Sequence, residues 1–464
     1  MRPFVLFATG VLVFSSVAFG ETIVVDSEVD APASFIDGVP VCSALVGQQT
    51  RCTLRAAMQV ANFNGGYTTI ELQRGRTYVL SRSHSVDETP ERSGPLTVGP
   101  IRFGAVVTTI EATGSAEAPP IITRSPDFGD SLFRITGNSA GGGILELHGL
   151  ELLGDDSAQA PMQGSAISCD GGGELEASDT TFVGNLALSS GGAIALDHCA
   201  ATFERSAFTG NRAGARGGAI ASVDSSVVLR TASFDHNRIA DVDGEGSAID
   251  AQGISSDSAI LAIDNTTYFA NAGGASALNV SNITTVLRSA TAIGNSSNTF
   301  LRVVGGALRM ANTAVADNVG DVSIELSLGG ALQSEGHNRL WRLIADASSS
   351  GTAQLTDSDA LSFSGSLVSI IPAANWRGIV GIPQRTSPLI GQGGGEIRAV
   401  DGSLVPLCPE FDANLVSRRE MERCDIGAAN FVDDTIFAGT FELRALASSL
   451  LANPSDLSRR QKIH

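Results

Sequence analysis

One lysine, Lys462, stands among the 30 Lys and Arg residues of a 464-residue chain, so the other basic side chains are arginines. Against 49 Asp and Glu they leave a formal net charge of −19. A balance this acidic excludes the basic footprint that nucleic acid or an anionic membrane demands. Solubility or cation binding remain as uses for the charge. Aromatic residues make up only 5%, and the two tryptophans, Trp341 and Trp376, lie beyond the repeats described below, which leaves little for stacking on sugar rings. The six histidines show no mutual spacing, and His198 beside Cys199 reads as a turn residue rather than a ligand. No nucleophile motif, phosphate loop or Cys-x-x-Cys occurs, and the repeats show no helical periodicity.

What the chain does contain is a repeat. A small-small-Ala-aliphatic tetrad recurs at Gly164, Gly191, Gly217, Gly246, Ala275, Gly305 and Gly329, with steps of 27, 26, 29, 29, 30 and 24 residues. About seventeen residues after the early copies comes an aromatic, two residues and Asn: Phe182 to Asn185, Phe208 to Asn211, Phe234 to Asn237 and Tyr268 to Asn271. Asn295 and Asn318 keep the place after the aromatic is lost. Between these marks, apolar and polar residues alternate over four to six positions, and Gly, Ser, Asn and Asp separate the runs. Three short strands per turn, each pairing with its equivalent in the next, predict an all-β solenoid, the right-handed parallel β-helix. Coils then lie about 4.8 Å apart. Ile194, Ile220 and Ile249 stack in the core, Phe182, Phe208 and Phe234 form an aromatic file, and Asn185, Asn211 and Asn237 form an amide ladder at a corner. A leucine-rich horseshoe lacks the required Leu spacing.

Residues 1–20 have the form of an export signal: Arg2, an apolar run from Phe4 to Val17, and Ala18-Phe19-Gly20 as a small-x-small site. The run is short for a membrane span, so no transmembrane segment is expected in the mature chain. The six cysteines fall into sequence-near pairs, Cys42 with Cys52, Cys408 with Cys424, and Cys169 with Cys199 about one repeat apart. Disulfides suit an exported chain, and free buried thiols are the alternative.

The stretch RCTLRAAMQVAN, Arg51 to Asn62, resembles the CSLREA motif found near the N-terminus of many bacterial secreted β-helix proteins, with Ala56 where the motif carries Glu. Leu54, Ala57, Met58 and Ala61 fall on one helical face, which would plug the open end of the first coil. SEGHNRLW from Ser334, TSPLIGQG from Thr386 and CDIGAANF from Cys424 resemble the choice-of-anchor Q domain, although no anchor is evident in Val432 to His464. The GGAI and Phe-x-x-Asn marks are similar to the repeats of chlamydial polymorphic outer-membrane proteins. These resemblances imply a bacterial protein that is secreted or held at the cell surface or outer membrane, on a pectin-lyase-like scaffold, and no defined reaction. They divide the chain into a signal (1–20), an N-terminal cap (21–75), a β-helix (76–345), further coils with a choice-of-anchor Q-like region (346–431) and a tail (432–464).

Polysaccharide-cleaving enzymes also use this scaffold, and glycoside hydrolysis needs two carboxylates facing one groove. Asp155 and Asp156 are the catalytic candidates, set against a solvated turn. Arg205, Arg230 and Arg288, which recur at sites read as equivalent, are candidates for a lyase base, set against arginines that merely cover a sheet. Asp241, Asp243 and Glu245 around a Gly turn are the metal candidates and would suit Ca²⁺, set against a solvated loop. No other cofactor is expected. The reading favours a non-enzymatic exported β-helix that binds an extended partner such as an extracellular polysaccharide, a matrix or a cell-surface ligand. A lyase or glycoside hydrolase is the alternative.

Overall fold

In the computed structural model, the described residues are 20–85, 92–99, 106–138, 141–155, 159–254, 259–320, 322–345, 350–361, 368–373, 376–384, 387–394, 396–398, 404–406, 408, 412–414 and 424–429. The expected export signal, apart from Gly20, and the tail lie outside them. The fold is a right-handed parallel β-helix. Each coil runs along three faces. One coil takes Glu174–Ser178 on the first face, Thr181–Val183 on the second and Ile194–Asp197 on the third. The next repeats this with Ala200–Glu204, Ala207–Thr209 and Ile220–Val223, every strand parallel to its predecessor. The second face forms an 11-stranded sheet, and the other two faces belong to one of 22 strands.

Alternation in the sequence decides what lines the interior. Ile167, Ile194, Ile220 and Ile249 pair in register and are fully buried, and Leu278 continues the file. Phe182, Phe208, Phe234 and Tyr268 stack with centroids 4.8, 4.6 and 5.2 Å apart and nearly parallel planes. Phe203 meets Phe208 edge-on at 5.3 Å. Such pairs add about 0.5–1.5 kcal/mol each beyond the area they bury.

The corners are built as regularly as the strands. Residues at positive φ open them: Asp179, Arg205, Thr231, Asn265 and Ser289 between the first and second faces, and Gly184, Gly210, His236, Ala270 and Gly294 after the second. There the Asn ladder runs from Asn185 through Asn211, Asn237, Asn271 and Asn295 to Asn318. Each Nδ2 donates to the next Oδ1 at 2.8–3.0 Å, and from Asn211 onward each Oδ1 also accepts the backbone N–H of the Asn one coil earlier. The leading glycine of the tetrad turns the chain into the third face. At Gly191 φ is +63°, and a Cβ would stand 2.1 Å from the carbonyl oxygen of Ile194. Conformation and space therefore both demand glycine.

Two tetrads are out of register. Leu278 is followed in its file by Leu301 and Ile324. Leu308 and Leu332, which end the copies at Gly305 and Gly329, instead lie on the first face. Those glycine pairs belong to the corner between the third and first faces. The coils therefore shorten toward the C-terminus, and the last loops into the third face are brief.

The N-terminal end is closed by the helix Leu54–Asn64. Thr53 caps it through Oγ1, which accepts from Ala56 N at 3.1 Å. A single apolar face was expected, but every residue from Leu54 to Asn62 is buried. Met58 and Ala61 reach the β-helix core, whereas Ala56 packs on Ala33 and Ala44. Arg55 forms a buried pair with Asp30 at 2.6 and 3.0 Å. Two hairpins, Ser34–Ile36 with Val39–Val41 and Ala44–Val46 with Gln49–Arg51, supply the cover.

At the other end, the last stacked strand among the described residues is Ala360–Leu361. In place of further coils, the antiparallel pair Val368–Pro372 and Ile379–Pro383 doubles back over the second face. Trp376 is buried there with Val380, Ala413 and Ala428 against Ala207. Leu389 and Ile426 pack on Ala314 and Ala316. Small residues on this face admit the strap closely: a Cβ on Gly381 would come within 2.5 Å of Thr291 Cγ2.

Candidate functional site

The three faces differ in what they offer a ligand. The second is covered along part of its length by the strap. The first is flat: its corners are two residues long at His198–Cys199 and Asp179–Thr180, so no loop walls it there. Some of its outward positions set carboxylates side by side, Glu71 beside Glu111 and Glu146 beside Glu176, and others set opposite charges together, Glu204 beside Arg230 and Asp264 beside Arg288. The third face carries arches, because the segment between the Asn corner and the tetrad bends back over it.

Under those arches the outward file of the third face reads Ala195, Ala221, Asp250, Asn279, Arg302, Glu325. The arch residues Ser190, Arg216 and Glu245 form a neighbouring file. From Asp250 onward the two files interlock. Arg216 Nε donates to Asp250 at 2.8 Å. Asn279 Nδ2 donates to Asp250 at 2.7 Å and to Glu245 at 3.1 Å. Arg302 donates to Glu245 at 2.8 Å. Arg302 and Glu325 come no closer than 3.6 Å, outside hydrogen-bond range. Asp250 has a fully buried carboxyl, and burial pushes its pKa up against the opposing pull of Arg216 and Asn279. A group sealed in this way positions its neighbours and does not itself touch a substrate.

The residues singled out from the sequence fall differently. Asp155 follows Gly154, which occupies the corner place of Gly184 in the next coil, so Asp155 stands where the Asn ladder begins. Asp156 lies outside the described residues. Asp241 and Asp243 are exposed and form a local turn, in which Asp243 N donates to Asp241 at 3.1 Å. Glu245 turns away to Asn279 and Arg302. Among the described residues no three His, Cys, Asp or Glu side chains are grouped to hold a metal ion. Arg230 and Arg288 share a file with Glu204 and Asp264, but Arg205 sits one residue beyond it, in the corner. Arg205 is clamped by Asp179 at 2.8 Å through two bonds, and this pairing raises its pKa further. Arg288 is paired with Asp264 at 2.9 Å. His198, at positive φ, bonds Asp197 at 2.6 Å.

The cysteines form three disulfides, Cys42–Cys52, Cys169–Cys199 and Cys408–Cys424. Among the described residues no helix is long and apolar enough to cross a membrane.

The Asp250 network is absent from the sequence reading, although a signal for it exists. The residue after the tetrad's aliphatic changes from Ala in two coils to Asp, Asn, Arg and Glu in the next four. Placing the last two tetrads at Gly305 and Gly329 hid Arg302 and Glu325 from that alignment. The chain matches no known family model and no curated protein.

Proposed function

We propose that this protein is an exported, non-enzymatic β-helix, secreted or held at a bacterial surface, whose faces bind an extended ligand such as a glycan or matrix polymer. The observation that carries this reading is the first face from Glu174 to Arg230, a flat run of equivalent strands between corners of two or three residues, too short to wall a groove. A catalytic cleft needs carboxylates that converge on an enclosed space. Here the stacked outward carboxylates spread along the axis, and Asp250, whose pKa burial raises, is sealed. A repeating surface suits a repeating ligand. Kinship with exported proteins of the CSLREA and choice-of-anchor Q types belongs to the same proposal, supported by the capping helix Leu54–Asn64, which begins inside the Arg51 to Asn62 stretch.

The test is to incubate the purified chain with immobilised plant and bacterial polysaccharides and matrix polymers, and to assay reducing ends and unsaturated products in parallel. The expected result is retention without product. Release of product that Glu245→Gln abolishes would instead establish the hydrolase or lyase alternative.

A further inference from the structure

The strap crosses the second face and arches cover the third, which leaves the first as the open sheet among the described residues. Its central outward file runs Glu176, Thr202, Val228, Ala262, Val286, Arg309, each paired in register with the next. That file is acidic at one end, basic at the other and largely apolar between. The file beside it alternates in sign through Glu204, Arg230, Asp264 and Arg288. Arg230 is exposed, and the carboxylates on either side of it are engaged elsewhere, Glu204 by Arg205 and Asp264 by Arg288.

We infer that the first face is a self-association surface whose partner is a second copy of this chain, packed sheet to sheet with its helix axis reversed. A twofold axis parallel to the strands, passing between Val228 and Ala262, inverts the order of the coils and keeps each position along the strand. Each file then meets itself in reverse. Glu176 faces the partner's Arg309, Glu204 the partner's Arg288 and Arg230 the partner's Asp264, and symmetry repeats each pair. At the centre Val228 lies on the partner's Ala262, and Thr202 on the partner's Val286. Moving the axis by half a coil destroys the match. It sets Arg230 on itself and Glu204 on Asp264 in one direction, or Asp264 on itself and Arg230 on Arg288 in the other, and like charges so placed repel. The pattern therefore selects one register, and an order of charges that complements its own reverse is what a second copy requires. Eight strands, from that of Glu146 to that of Gln333, take part. At about 4.8 Å per strand and about 16 Å of strand length, the patch covers about 600 Å² on each copy. The total of about 1,200 Å² lies at the lower end of specific interfaces, so the dimer is reversible. This goes beyond the binding reading above: a polymer on the first face would have to part the two copies, while the arched third face stays outward on both.

Sedimentation equilibrium of the full mature chain over a range of concentrations tests this, and a monomer–dimer equilibrium is expected. Glu176→Arg, Arg309→Glu and Arg230→Glu should each weaken the dimer tenfold or more while melting stays unchanged, and Arg238→Glu, exposed at the corner and off this face, should leave it intact. Mixing Glu176→Arg with Arg309→Glu puts opposite charges back across the interface, so the mixture should regain the dimer that neither variant forms alone. A wild-type chain that stays monomeric at every concentration overturns the inference, as does a dimer that survives the three first-face variants or a mixture that fails to restore it. Polymer retention is scored separately. A monomeric wild type that still retains polymer removes the dimer and keeps the binding reading, and a dimer without retention does the reverse.

Discussion

The coils around Ile194 and Ile220 and the coils around Asp250 and Arg302 share one scaffold, yet they treat the same outward position in opposite ways. In the first pair that position is Ala195 or Ala221, covered by its arch and in need of no partner. In the later coils it is Asp250, Asn279, Arg302 or Glu325, and the arch above it must supply Arg216 and Glu245 to satisfy the charge. Regular stacking therefore does not require regular chemistry. Hydrogen bonding between coils fixes where a side chain stands, and the arch above decides whether a polar one is tolerated there.

The largest break comes from the shared interior. Phe208→Ala removes the middle of the aromatic file and should lower stability by about 3–5 kcal/mol, read from urea unfolding. Next, Ala195→Asp copies the later chemistry into an early coil, where its neighbours in the file are Ser168 and Ala221. A buried, unpaired carboxylate there should cost about 3 kcal/mol or more in the same measurement. Asn211→Ala strips the ladder of one member and leaves the backbone N–H and Nδ2 of Asn185 short of an acceptor, at a cost of about 2 kcal/mol. Asp250→Asn gives the smallest and most specific effect, a change in pH dependence. The folded pKa of Asp250 lies above its unfolded value, so its contribution favours the fold at acidic pH and is lost as pH rises from the ordinary Asp range through the elevated value. The melting temperature of wild type relative to Asp250→Asn should therefore fall with rising pH, and parallel curves would place the carboxyl in an ordinary solvated state.

The interior was legible because its signal is local. Five tetrads and four aromatic-to-Asn marks each lie within one coil, and their spacing gives the stacking of Ile194 on Ile220 and of Phe182 on Phe208. The network around Asp250 was not legible in the same way. Arg302 and Glu245 are 57 residues apart and meet only if every intervening coil is counted correctly. Glycine pairs at Gly305 and Gly329 look like the tetrad because the chain needs glycine at more than one kind of corner. The strap over the second face was hidden for a related reason. Gly381 and the small residues Thr267 and Thr291 fit one another only after the chain has doubled back.

All of this depends on successive coils placing equivalent residues in files along one axis. Nitroxide labels at Leu188→Cys and Val319→Cys, both exposed, bracket five steps of the Asn ladder from Asn185 to Asn318. A dipolar distance measurement should give a narrow distribution at about 24–30 Å, five coil spacings plus the label arms. A distribution centred beyond about 40 Å, more than eight such spacings, would show that the coils do not stack as described.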